Sequence, residues 1–247
     1  MDSETCLARL ASAVGRFTRV IERSNLDQPV PACPGWDVAA LVDHVVMIHT
    51  WVSRILADGA ASSVHDTIER PERDPGTYAA WYTERAASLQ AELATVDLDA
   101  ACWNFTGLNQ TFGFWPRRQM NEVNVHSFDA AAAAGGEIVI ESDAAADGID
   151  ELLTLMVPRM AQRGIIPDLT APLAIAPTDS AESWTVHPPD DSGLARVVRG
   201  DRGAAATVSG PAAELFLALW KRLPPERLTI AGDIDVALAY LASQLAP

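Results

Sequence analysis

The sequence is poor in several residue types, and each scarcity narrows the possible functions. Only three cysteines, Cys6, Cys33 and Cys102, occur in 247 residues, and this odd, widely spaced set favours a reducing compartment over a disulfide framework. Lysine occurs once, at Lys221, and the net charge of −15 disfavours nucleic acid or an anionic membrane as a partner. No continuous apolar run reaches the roughly 20 residues of a membrane span, and the N-terminus does not resemble a secretory signal. We therefore expect a cytoplasmic protein.

Hydrophobic residues make up 49% of the chain, and in its first half they recur at the three- and four-residue spacing of amphipathic helices. The pattern predicts one helix from about Thr5 to Arg23 and another after Asp37, which is a candidate N-cap. Two more are predicted over about 77–96 and 116–134. Four helices joined by loops predict an N-terminal all-α four-helix bundle over residues 1–140.

The second half of the chain has a different pattern. After Asp147 a helix is followed by short segments with the composition of β-strands, separated by Asp, Gly, Pro and Ser. These segments cover 173–177, 183–188, 195–200, 204–209 and 228–232, and apolar helices follow the fourth and the fifth. The pattern predicts a small α+β domain with an antiparallel sheet over residues 147–247. The boundary is expected between 135 and 147.

Two histidines and one glutamate form the strongest candidate site. Glu122 and His126 are four residues apart on the fourth helix, which places them on one helix face. His44 lies on the second helix, beside the apolar positions Leu41 and Ile48. Two imidazoles and a carboxylate can hold one divalent ion and leave its fourth position open, as in catalytic zinc sites. The spacing alone also allows a core histidine at His44 and a surface ion pair between Glu122 and His126.

Other residues have simpler interpretations from the sequence. Cys33 lies in the turn-like segment PACPGW, where a buried, inert thiol is favoured because unpaired cysteines often pack as small hydrophobes. The histidines His49, His65 and His187 have no comparable partners in the sequence. Asp43 and Asp129 are the acidic residues nearest to the three proposed ligands, and the sequence leaves open whether they face away.

The motifs resemble those of the mycothiol-dependent maleylpyruvate isomerase family, which is part of the larger DinB-like group. The run VPACPGWDVAALVDHVVMIHTWV is similar to the family's Pro-x-Cys-Pro-Gly-Trp turn, which precedes a helix with a metal-binding histidine. The family's second signature matches Arg118, Glu122, His126 and Asp129. The C-terminal half is similar to the family's sterol-carrier-protein-like domain, with Lys221 where glycine is usual.

This resemblance implies functions for individual residues. His44, Glu122 and His126 would bind Zn2+ or another divalent metal, with mycothiol as the co-substrate. Arg222 would help to hold an anionic substrate, although an arginine at a helix end also binds the last carbonyls. Trp36 and Trp51 would wall the pocket around the cofactor, although tryptophan is commonly buried in bundles.

The resemblance implies an enzyme whose partners are a small-molecule substrate and a low-molecular-weight thiol. The expected reaction is cis–trans isomerisation of a maleylpyruvate-like acid through addition of the thiol to its double bond. A mycothiol S-transferase shares the first half of that reaction, so the metal ligands do not separate the two. A zinc-hydroxide hydrolase and a non-catalytic thiol-binding regulatory module are the remaining alternatives. The oligomeric state is left open.

Overall fold

The computed structural model describes residues 1–63, 68–191, 193–200 and 203–246. The chain divides into two compact units, Met1–Val139 and Ile140–Pro247.

The first unit is built from four helices: α1 (Ser3–Ile21), α2 (Val38–Asp58), α3 (Pro75–Leu93) and α4 (Phe114–Ala133). Both α1 and α2 pack against α3 and α4, so the predicted four-helix bundle is confirmed. Large side chains from all four helices fill its interior and are almost fully buried: Phe17, Leu41, Ile55, Tyr82, Leu89 and Trp115.

Local signals in the sequence set the ends of the two helices that carry the site. The Asp37 carboxylate accepts a hydrogen bond of 2.8 Å from the backbone N–H of Ala40, so the predicted N-cap of α2 is confirmed. Gly135, with φ of 68°, follows the end of α4 in the left-handed conformation that glycine adopts without a steric penalty. The N-cap therefore fixes where α2 begins, and the glycine fixes where α4 ends.

Helix α2 has the length and composition of a membrane-spanning helix, and 56% of that stretch is buried. Its apolar side chains contact α3 and α4 across the bundle. Burial on several sides accounts for its apolar character, as it does in other core helices.

The second unit begins with an irregular helical segment. Helix α5 (Ser142–Glu151) continues through a π-helical turn (Leu152–Met156) into the short helix α6 (Val157–Ala161). Pro158 has no backbone N–H and crowds the preceding turn. The π turn widens the backbone directly before this proline and lets the segment continue.

A five-stranded sheet follows, made of β1 (Leu173–Pro177), β2 (Trp184–Pro189), β3 (Ala195–Arg199), β4 (Ala206–Gly210) and β5 (Thr229–Gly232). The strand order is β3-β2-β1-β4-β5. Three neighbouring pairs are antiparallel, and β1 pairs with β4 in parallel. The sheet is therefore mostly antiparallel, as predicted, with one parallel pairing where β4 lies on the side of β1 opposite β2.

Two helices complete the second unit. Helix α7 (Ala212–Leu219) follows β4, and α8 (Ile234–Ala242) follows a single 3-10 turn (Pro225–Arg227) and β5. Helix α7 packs against α5 and against β1 and β4, while α8 packs against β4 and β5. The predicted α+β fold is confirmed.

Candidate metal centre

Helix α4 buries an unusual number of polar side chains. Seven of them are buried: Arg118, Gln119, Asn121, Asn124, His126, Ser127 and Asp129. Burial of polar groups costs free energy unless hydrogen bonds compensate. A helix that buries so many is therefore a candidate for positioning functional groups rather than only filling a core.

The structure brings His44, Glu122 and His126 together. The Oε1 of Glu122 lies 3.1 Å from Nε2 of His44 and 3.3 Å from Nε2 of His126. The three side chains offer ligand atoms that all lie within 4.8 Å of one another. The side chain of His44 is 23% exposed and that of His126 only 10%. The group therefore lies at the edge of the bundle interior, with His44 on its more open side.

The chemistry of these donor atoms fits a divalent cation. Neutral imidazole nitrogens and carboxylate oxygens are standard ligands of zinc and of neighbouring transition metals. Three such ligands leave at least one coordination position for a molecule that is not part of the protein. The partial exposure of the group is compatible with access to that position.

Asp129 contacts the side of His126 that faces away from Glu122. Its Oδ2 lies 3.0 Å from Nδ1 of His126, and its side chain is fully buried. A carboxylate on the second nitrogen of a metal-binding histidine fixes the tautomer and the orientation of the ring. The other nearby acid, Asp43, forms an ion pair with Arg70 at 2.5 Å. The sequence left the directions of both acids open, and each of them is engaged with another side chain.

Arg118 binds the second oxygen of Glu122. Its Nη2 lies 2.5 Å from Oε2, and the arginine side chain is 6% exposed. Burial by itself would raise the pKa of Glu122, but the charge of Arg118 and hydrogen bonds from His126 and His44 hold that pKa well below its usual value. Glu122 is therefore a carboxylate at neutral pH. The sequence indicated Arg118 as part of a motif, without this contact.

Two neighbouring carboxylates shift the pKa of His126 upward. Burial would lower the pKa of His126, but hydrogen bonds to Asp129 and Glu122 outweigh burial and raise it to about 9. In the absence of a metal the ring is therefore an imidazolium at neutral pH. A metal ion that binds Nε2 must displace this proton.

The turn before α2 lies beside the same group. It is closed by backbone hydrogen bonds of 2.9 Å from Val30 N to Trp36 O and 3.0 Å from Trp36 N to Cys33 O. The ring of Trp36 lies 4.9 Å from that of His44, measured between centroids. Trp36 therefore lies beside one of the proposed ligands, and its role as a wall of the pocket stays a prediction.

Cys33 in this turn is half-buried, so the expectation of a buried thiol is wrong. Its Sγ lies 3.7 Å from Oδ2 of Asp129, to which the thiol donates. The turn carries Cys33 to the end of α4, where Cys33, His126 and Asp129 form a second group of possible metal ligands.

Trp51 lies further along α2. It follows His44 by two helical turns, about 10 Å along the helix axis. Its Nε1 donates a 2.9 Å hydrogen bond to the carbonyl of Ser62, and its ring packs with Trp103 and Trp115. These contacts make Trp51 part of an aromatic cluster, and its role as a pocket wall stays a prediction.

His49 has a partner that the sequence did not indicate. Its Nδ1 lies 2.8 Å from Oε1 of Gln119, one turn before Glu122. Burial lowers the pKa of His49 to about 4, so the ring is neutral. Gln119 offers an amide, and His49 belongs to neither group of possible metal ligands among the described residues, while His65 lies outside the described residues.

Arg222 belongs to the second unit, where it follows α7. Its Nη1 donates a 2.9 Å hydrogen bond to the carbonyl of Trp220, which is the contact expected of an arginine at a helix end. Its participation in substrate binding stays a prediction.

Comparison with known proteins agrees with this architecture. Residues 7–131 match the mycothiol maleylpyruvate isomerase N-terminal domain family, and residues 143–239 match the C-terminal domain family that accompanies it. A crystal structure of a mycothiol-dependent maleylpyruvate isomerase is similar in fold, with a TM-score of 0.64, 12% identity and 95% of each chain covered. The crystal structure of a histidine-to-alanine mutant of such an isomerase is similar with a TM-score of 0.63, 11% identity and the same coverage. No curated protein matches the chain significantly in sequence.

Proposed function

Because this chain belongs to the mycothiol maleylpyruvate isomerase family, we propose that it is a metal- and thiol-dependent enzyme that isomerises a cis-unsaturated acid. One observation carries the proposal. The Nε2 atoms of His44 and His126 converge on one oxygen of Glu122, in a family whose name specifies a thiol and an unsaturated keto acid. We propose zinc as the ion and mycothiol as the thiol.

His44, Glu122 and His126 would hold the ion, which when bound supplies a Lewis acid that keeps a thiol ionised at neutral pH. Other residues of the chain would orient these ligands and adjust their charge. Asp129 keeps the Nδ1 proton of His126, so Nε2 remains available as a ligand. Arg118 offsets the charge of Glu122. Negative charge from the ligands is thereby reduced, which favours the approach of two anions, the thiolate and the acid.

The proposed reaction consists of addition and elimination of the thiol, with a bond rotation between them, and it conserves all atoms. The thiolate sulfur adds to the activated cis double bond, and the electron pair of that bond moves onto the conjugated carbonyl of the acid. The former double bond is now single and rotates. Return of the electron pair then expels the thiolate and leaves the trans double bond. Trp36 beside His44 would exclude water from this addition product.

The anionic acid also needs a counter-charge. We propose that Arg222 supplies it, with its guanidinium oriented by the carbonyl of Trp220. Arginine binds carboxylates through two parallel N–H groups. Its proposed role is to hold the acid and to stabilise the negative charge that develops on the conjugated carbonyl.

The acidic residues argue against hydrolysis by a metal hydroxide. That reaction benefits from a general base near the open coordination position. Asp129 is bound to His126 and Asp43 to Arg70, so each of these carboxylates already has a partner other than a metal-bound water. An S-transferase shares the addition step, and the fate of the thiol distinguishes it from an isomerase: a transferase consumes thiol and an isomerase does not.

Turnover with and without the thiol tests the proposal. Purified protein loaded with zinc should convert maleylpyruvate to its trans isomer only when mycothiol is present, and the mycothiol concentration should remain constant. The His126→Ala variant should lose both the metal and the activity, whereas His187→Ala, a histidine change in the second unit, should retain both. Equal turnover without any thiol would refute the proposed mechanism, and stoichiometric loss of thiol would make the protein a transferase.

A further inference from the structure

The end of α7 has a lysine where the backbone conformation favours glycine. Two backbone hydrogen bonds close this end, Lys221 N to Ala218 O at 3.0 Å and Arg222 N to Leu217 O at 2.8 Å. This is the Schellman motif, whose residue after the C-cap adopts the left-handed conformation and is usually glycine. Lys221 occupies that position with φ of 63°. A lysine here is strained, so its side chain is the feature that needs an explanation.

The Lys221 ammonium is only partly engaged. Its Nζ donates a hydrogen bond to the carbonyl of Leu241 in the last turn of α8, which leaves two N–H donors for another acceptor. Among the residues that the structure describes, no carboxylate pairs with Lys221. Partial burial lowers the pKa of Lys221 to about 8, which agrees with an ammonium that lacks a nearby negative charge.

Lys221 and Arg222 line one cavity. Its volume is about 300 Å³, and apolar side chains, including Leu223 and Leu241, form most of the remaining wall. This volume is at the lower end of the range for small-molecule sites. None of the described residues that line it is acidic, although the whole chain carries a net charge of −15. Two adjacent cations facing a small apolar cavity have the composition of a site for an organic anion.

We propose that this cavity binds a small organic carboxylate and that Lys221 is the residue that sets its preference for anions. The inference rests on the proposed function for the identity of the natural ligand, because an unsaturated acid of that reaction is a carboxylate of suitable size. Arg222 alone provides one planar donor group, whose Nη1 is partly used by Trp220. Lys221 adds a second donor, so that the two residues share the charge of the carboxylate.

A purely structural role for Lys221 makes a different prediction. Its ammonium could simply cap the carbonyls at the C-terminus of α8. Removal of the charge would then lower thermal stability and leave ligand binding unchanged. Lys221→Gly separates these roles, because glycine relieves the strained backbone and removes the ammonium. Lys221→Met is a second variant that keeps the aliphatic stem and the backbone strain.

Calorimetric titration with fumarate tests the proposal. The full-length protein is titrated in its metal-loaded form and after chelation, since chelation removes the metal as a competing anion site. We expect fumarate to bind both forms, with roughly tenfold weaker affinity in Lys221→Gly and Lys221→Met, as for one lost charge-assisted hydrogen bond. Lys221→Arg should restore most of the affinity. The neutral analogue fumaramide should bind the wild type no better than it binds the variants.

Arg196→Ala is the matched control, because it removes one positive charge from an exposed position on β3 in the same unit. It should bind fumarate like the wild type. Wild-type affinity in both Lys221→Gly and Lys221→Met, or no fumarate binding by the chelated wild type, would overturn the proposal. Absence of isomerase turnover together with lysine-dependent fumarate binding would reject the proposed reaction and leave the carboxylate site standing.

Discussion

The Oδ2 of Asp129 lies 3.0 Å from the Nδ1 of His126, and the opposite nitrogen of the same ring faces Glu122 at 3.3 Å. The two contacts leave the imidazole little freedom to rotate. Because Asp129 is fully buried, solvent cannot easily replace its carboxylate. The affinity of the site for a metal should therefore depend on a residue that is not itself among the three proposed ligands.

Asp129→Asn tests this dependence. Asparagine preserves the shape of the side chain but removes the charge that raises the basicity of the ring. We expect roughly 10- to 100-fold weaker zinc binding, as for other carboxylates that support a metal-binding histidine. Competition with a chromophoric chelator measures the affinity. Asp43→Asn changes another acid in the same unit and should leave zinc binding unchanged. Equal affinities in the two variants would exclude a supporting role for Asp129.

Zinc binding should release a proton at neutral pH. Metal-free His126 has a pKa of about 9, so it is protonated at pH 7, and the bound metal must replace that proton. The apparent affinity should rise by about tenfold per pH unit from neutral pH and level off above about pH 9. Calorimetry in buffers with different ionisation enthalpies counts the protons released. A pH-independent affinity between pH 7 and 9 would contradict the raised pKa.

The stability of the metal-free protein should have a defined pH window. The raised pKa of His126 stabilises the fold below about pH 6.5, and this contribution is lost as the pH rises through about 9. The lowered pKa of Glu122 contributes above about pH 4.5 and is lost as the pH falls through its folded-state value. Urea unfolding of the chelated protein should therefore show the full contribution of both groups between about pH 4.5 and 6.5. His126→Gln should remove the decline on the alkaline side.

Arg118→Met should destabilise the bundle much more than loss of a surface ion pair would. Arg118 and Glu122 have side chains that are 6% and 15% exposed, and loss of Arg118 removes the strongest positive charge that compensates the buried Glu122 carboxylate. Loss of a partner from a buried ion pair typically costs about 3–5 kcal/mol. Arg70→Met removes the pair with Asp43, in which the arginine is 56% exposed, and should cost at most about 1 kcal/mol. Chemical denaturation of both variants measures the difference, and similar free energies of unfolding would contradict this assignment.

Helical periodicity accounts for what the sequence predicted of the site. A spacing of four placed Glu122 and His126 on one face, and the apolar neighbours of His44 directed it inward. Contacts between distant residues could not be read in this way. Gln119 binds His49 across 70 positions, and Cys33 approaches Asp129 from the turn before α2. These pairings depend on how the helices pack, which no local spacing specifies.

In the second unit, too, the sequence predicted the local elements but not all the contacts between them. Short segments of strand-like composition between turn residues predicted the five strands that the structure describes, because those signals are local. The pairing of β1 with β4 joins segments that are about 30 residues apart. It depends on β2 occupying one edge of β1 and on β4 reaching the other edge. The π turn before Pro158 similarly reflects a helix that continues past a residue that usually ends one.

Cys33 should be the thiol that reacts first in the native protein. It is half-buried, whereas Cys6 and Cys102 are buried and none of the three forms a disulfide. Native protein treated with iodoacetamide should therefore gain one rapid modification, which peptide mass spectrometry assigns, and the other two should react only on unfolding. Because the Cys33 thiol donates to the same Asp129 oxygen that contacts His126, alkylation should displace that carboxylate and weaken zinc binding. Cys33→Ala should retain zinc under the same treatment, and equal zinc loss in the variant would show that the effect arises elsewhere.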